Sequence, residues 1–189
     1  MRHLKRMALL VLLAAALPAQ SASGGRLLPE QGAIDVRHYD LVLAVDPEAH
    51  TINGSCTMRA TALRSVKDVI LHLDGRLDVK GVTSNGKDIP FEHVGGLVKA
   101  SLPRVVQPGS EVEVCVVYGG APRVAPRPPW DGGFTWAKTK GGKPWIATSC
   151  QGEGADLWWP CKDHPSDKPE SMDLKITVPD ELVCASNGS

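Results

Sequence analysis

From residue 35 onward, apolar side chains recur at every second position: Tyr39, Leu41, Leu43 and Val45 alternate with Asp40, Val42, Ala44 and Asp46. A period of two marks a strand with one buried face, whereas a helix needs a period of 3.6. Similar runs cover 52–62, 69–73, 77–83, 97–102, 112–118, 145–150, 174–178 and 183–185, each bounded by turn residues. No stretch of ten or more residues with helical periodicity follows residue 24. The chain therefore reads as all-β. It also reads as antiparallel, because its connections are too short for crossover helices. Asn85-Gly86 signals a type I′ hairpin between the strand at Val79 and the segment Ile89-Pro90-Phe91. Between residues 119 and 144 the alternation gives way to Pro- and Gly-rich chain that reads as one long loop, with Trp130, Phe134 and Trp136 arguing that it packs on something.

The first residues follow another rule. Arg2, Lys5 and Arg6 precede an apolar run from Met7 to Leu17, and small residues follow at Ala19, Ser21, Ala22 and Ser23. The run is too short to span a bilayer and has the layout of a signal peptide over 1–23, cut between Ala19 and Gly24. The expected mature chain, 24–189, is exported to a periplasm or the extracellular medium and keeps no membrane anchor. Losing three of 21 basic residues leaves 18 against 21 acidic ones, so no positive field exists to hold nucleic acid or anionic lipid.

Five cysteines, at 56, 115, 150, 161 and 184, are then read in an oxidising compartment. Cys56 and Cys115 sit inside strand runs and read as buried, inert thiols. Cys150 and Cys161 leave two alternatives open, a disulfide or, with Asp163 and His164, a metal site; the disulfide is the stronger of them. Motif-level chemistry is otherwise absent: no H-E-x-x-H, no G-x-S-x-G and no phosphate-cradling glycine loop occurs. No catalytic residue and no metal ligand is assigned within the chain. Asn187-Gly188 directly after an apolar run reads as a hairpin turn without its return strand, so the domain is expected to be C-terminally incomplete.

Polar groups concentrate in one segment, where Thr148-Ser149-Cys150-Gln151 leads to Trp159-Pro160-Cys161-Lys162-Asp163-His164-Pro165 and then to Leu174-Lys175-Ile176-Thr177-Val178-Pro179. With Trp130-Asp131-Gly132-Gly133-Phe134 upstream, it resembles the N-terminal domain of the aminopeptidase N family of zinc metallopeptidases. Lys162 stands where that family usually has an aromatic residue, His164 where a carboxylate is common, and Asp156 where many members have Arg. The resemblance implies an antiparallel saddle-like or sandwich-like β-domain beside a C-terminal catalytic domain that holds the zinc, with a peptide's free N-terminus as substrate. It also implies that Gln151 anchors the substrate α-amine, with Glu153, two residues on along the same strand face, as a second candidate. The alternative reading is an all-β carbohydrate- or protein-binding module using Trp130, Trp136, Trp145, Trp158 and Trp159 as stacking platforms.

Overall fold

The computed structural model describes residues 25–188. The predicted signal segment lies outside the described residues. Eleven strands follow one another: β1 Ile34–Asp46, β2 Thr51–Ala62, β3 Val66–His72, β4 Leu77–Ser84, β5 Lys87–Asp88, β6 Phe91–Val94, β7 Leu97–Val106, β8 Glu111–Gly120, β9 Gly133–Lys138, β10 Pro144–Ser149 and β11 Ser171–Thr177. They form a six-stranded sheet in the order β11-β1-β2-β8-β4-β5, a three-stranded sheet β3-β7-β6 and a two-stranded ribbon β10-β9. The domain is all-β, as the apolar alternation requires.

Alternation also locates the core. Leu41 pairs with Cys56, Tyr39 with Met58 and Val45 with Ile52 across β1 and β2, while Met58 and Cys56 lie opposite Val114 and Val116 of β8. Leu41, Leu43, Cys56, Met58, Val114, Val116 and Tyr118 are all buried, and Val69, Leu71, Val98, Ala100 and Leu102 of the smaller sheet join them in one cluster. Cys115 departs from expectation. With Val114 and Val116 turned inward, the pleat turns the thiol between them to the other face, where it is only half-buried.

Four further details differ from the sequence reading. The 119–144 loop contains a strand, β9, whose Phe134 and Trp136 lie opposite Thr148 and Ile146 of β10. Residues 183–185 form no strand, and Val183 is exposed. The strand 145–150 stops at Ser149, so Gln151 and Glu153 lie in a turn and share no strand face. The antiparallel pattern has one exception, since β11 joins β1 in parallel, with Leu41 beside Leu174. A parallel neighbour needs a long return path, and the chain supplies it by visiting every other strand first. Asn85 and Gly86, with φ of 49° and 71°, make the expected tight turn between β4 and β5.

Candidate functional site

The segment between β10 and β11 crosses the domain as a strap fastened by one isolated bridge, by side-chain hydrogen bonds and by the buried Leu157, Trp159 and Cys161. Cys161 and His72 exchange backbone bonds of 2.7 and 3.1 Å, which ties the strap to the end of β3. Lys162 points inward. Its Nζ donates to Asp167 Oδ2 at 2.6 Å and to the Ile34 carbonyl at 2.8 Å, with side-chain exposures of 4% for Lys162 and 7% for Asp167. Asp167 Oδ2 also accepts from the Val36 amide at 3.0 Å, and Tyr39 Oη accepts from the Lys162 amide at 2.9 Å. The buried ion pair therefore fixes the strap against the start of β1. His72 Nδ1 receives both the Gln31 side-chain amide at 3.2 Å and the Asp163 amide at 3.3 Å, which requires that nitrogen to be unprotonated. Burial holds the imidazole pKa below its ordinary value, in the same sense.

Gln151 sits at the tip of the strap's first turn. The Glu153 and Gly154 amides both donate to the Cys150 carbonyl, at 3.2 and 3.0 Å, so Gln151 and Gly152 form the bend. Gly152 has a φ of 80°, the value required at the third residue of a type II turn and unfavourable for any residue with a Cβ. Gln151 is exposed and its side chain makes no hydrogen bond to a described residue, so its carboxamide oxygen and NH2 are uncommitted.

Glu153 is placed differently. Arg123 grips its carboxylate with both terminal nitrogens, Nη1 to Oε2 and Nη2 to Oε1, the second at 3.2 Å. Each side chain is 28% exposed. The Gly132 amide approaches the same Oε1 at 3.4 Å, and a Cβ on Gly132 would lie 2.6 Å from Leu157 and 3.0 Å from Glu153 Cβ, so only glycine fits there. Sequence reasoning missed Arg123, because nothing in its neighbours marks it.

Behind the turn lies a group of carboxylates. Asp156 Oδ1 is buried without a hydrogen-bond partner among the described residues, and burial, then the Asp163 carboxylate, raise its pKa to about 6; Asp74 and Glu153 push in the same direction. Burial likewise raises the Cys150 and Cys161 thiols, which opposes formation of the thiolates a metal would need. All five cysteines are free, so the Cys150–Cys161 disulfide is not formed. No group of three or more His, Cys, Asp or Glu among the described residues is arranged to hold a metal ion.

The five tryptophans do not make one platform. Trp159 is buried edge-on to Tyr39, Trp158 is edge-on to Trp159, and Trp136 lies between the His50 and Phe134 rings. Trp130 and Trp145 remain exposed, at 82% and 52%. Trp145 borders an apolar groove of about 970 Å³ between β10 and β11, whose walls include Ile146, Leu174 and Ile176.

The sequence pattern of the peptidase M1 N-terminal domain matches residues 36–189. The chain belongs to this family. Solved structures agree with the M1 assignment. A two-domain M1 zinc metallopeptidase bound to L-arginine superposes with a TM-score of 0.65 at 28% identity, over 79% of this chain and 33% of that one. An M1 zinc metallopeptidase from Deinococcus radiodurans bound to a Tyr-Ser-Ala substrate gives 0.64 at 28% identity, over 79% and 33%. Yeast LTA4 hydrolase in complex with bestatin, at 23% identity and a TM-score of 0.61 over 78% of this chain and 23% of its own, shares the fold. The M1 domain described here spans about a third of the length of the M1 zinc metallopeptidases it matches. No curated protein matches the chain.

Proposed function

We propose that this M1 N-terminal domain works in an exported zinc aminopeptidase, beside a catalytic domain of the same polypeptide that carries the zinc, and that Gln151 receives the α-ammonium of a peptide's free N-terminus. The observation that carries the reading is the state of Gln151. It is exposed at the tip of a tight turn with an uncommitted amide oxygen, and that oxygen can accept a hydrogen bond from an ammonium. Glu153 is the weaker candidate, because its carboxylate is already shared between Arg123 and the Gly132 amide. Support for the reaction class comes from the relatives, which are named as zinc metallopeptidases, one of them with a Tyr-Ser-Ala substrate bound. The apolar groove beside β10 and β11 supplies a face suited to a neighbouring domain.

A hydrogen bond to a charged group contributes about 1.5–3 kcal/mol. Gln151→Ala in the full-length enzyme is therefore expected to lower kcat/KM on free-amine peptides about ten- to a hundred-fold, and Gln151→Glu to retain activity. Wild-type kinetics for Gln151→Ala would remove the anchor. Export rests on the basic and apolar pattern of 1–23. Mass spectrometry of secreted or periplasmic protein should find an N-terminus between Ala19 and Gly24, and an intact Met1 would refute it.

A further inference from the structure

We infer that Arg123 is a positioning residue for the amine anchor: its fork on Glu153 fixes the turn that presents Gln151. The inference rests on the reading of Gln151 given above. A tip residue with no side-chain bond of its own is held only by its turn, and the Cys150 turn is closed by two backbone bonds to one carbonyl. The Arg123–Glu153 pair adds the lateral restraint.

Arg123 is itself anchored. Its carbonyl accepts from the Phe134 amide at 2.7 Å, and the Ala125 amide donates to the Phe134 carbonyl at 2.9 Å, so the Arg123 segment is zipped to the start of β9. β9 pairs with β10, and β10 leads directly into Cys150 and the turn. The ion pair therefore closes a ring made of the Arg123 segment, β9, β10 and the turn. Gly132, pressed against Glu153 where no side chain fits, holds the carboxylate from the same loop. A half-buried, bidentate, charge-assisted pair resists lateral motion far better than one neutral bond. An acceptor ordered before substrate arrives spares the binding step the entropy of ordering it.

The test is a double-mutant cycle in the full-length enzyme, with kcat/KM on a free-amine peptide as the readout. Gln151→Ala is made in the otherwise unaltered enzyme and again in an Arg123→Gln background. If Arg123 positions the anchor, the ten- to hundred-fold penalty of Gln151→Ala shrinks to about threefold or less in that background, while Arg123→Gln alone raises KM more than it lowers kcat. Arg123→Lys, which keeps the charge, should recover part of the loss. Glu153→Gln serves where Arg123→Gln fails to fold, since it keeps the side chain's shape and removes only the charge. An undiminished Gln151→Ala penalty in either background overturns the inference and leaves the anchor standing. No penalty in the unaltered enzyme overturns both. A collapse on Glu153→Gln, with Arg123→Gln harmless, would make Glu153 itself the amine acceptor and refute the positioning role.

Discussion

Two parts of this domain are held together in different ways. In the slab of β1, β2, β8 and β4 nearly every inward side chain is apolar, Ser84 being an exception, and its position follows from the pleat, so each contact is backed by many others. In the strap from Cys150 to Glu170, Leu157, Trp159 and Cys161 are buried, but the stretches between them are held by single polar links: Lys162 to Asp167, Asp163 to His72, and Glu153 to Arg123. The slab is redundant, and the strap has single points of failure. That contrast explains why the exposed functional candidate sits on the strap, where one residue can be placed without altering the core.

The sharpest way to break the contrast is Lys162→Ala. Removing one partner of a buried ion pair leaves Asp167 uncompensated, which costs about 3–5 kcal/mol, as much as a large cavity in the slab. Urea unfolding of the chain should show the loss, and a change under about 1 kcal/mol would mean that the strap is not tied to the fold through this pair. Gly152→Ala should cost less, about 1–2 kcal/mol, because a Cβ opposes its positive φ although no atom lies near enough to clash. Amide chemical shifts should move in 150–154 and stay fixed in β1, β2 and β8; shifts spread across the slab would show the two parts to be one unit.

The smallest effect is expected from Asp156→Asn, and it depends on pH. Asp156 titrates near 6 in the folded domain against its ordinary 3.8, so its contribution to stability is fully present below about pH 3.8 and is lost as pH rises through 6. His72, with its lowered pKa, acts in the opposite sense: its contribution is present above its ordinary 6.5 and declines as pH falls. Comparing Asp156→Asn with wild type isolates the carboxylate from the imidazole. The variant should be more stable by about 1 kcal/mol at pH 8, allowing for solvent screening, and equal to wild type near pH 4. Equal stability at both pH values would show that the carboxylate is solvated.

Legibility in the sequence follows the same division. Strands of the slab announce themselves through alternation, because a buried face imposes a local period that any reader of the chain can detect. β9 escapes because Phe134 and Trp136 are embedded among Gly and Pro residues that signal a loop. The 183–185 run misleads in the other direction, since apolar residues become a strand only when a neighbour supplies the ladder, and Val183 has none. Gln151 is legible through family resemblance alone; its chemistry, a neutral amide at a bend, carries no mark. Arg123 and Glu153 are 30 residues apart, both in irregular chain, and no periodicity connects them. Lys162 is visible as a departure from the family pattern, yet its burial depends on Asp167 and the Ile34 carbonyl, which only the folded chain brings together.

The parallel seam between β1 and β11 also governs the order in which the molecule can be assembled. Their first paired residues, His38 and Ser171, are 133 positions apart, so closing the seam carries the largest loop-entropy cost of any pairing in the domain. Of the described strands, β1 emerges first from a ribosome and β11 last. The outer edge of β1 must wait, with its backbone donors and acceptors open, until the rest of the sheet has been synthesised. An open edge is the place where a nascent chain recruits the wrong neighbour. The Lys162–Asp167 pair, made just before β11 and anchored to Ile34 and Val36, lies where it can guide the closing strand into register.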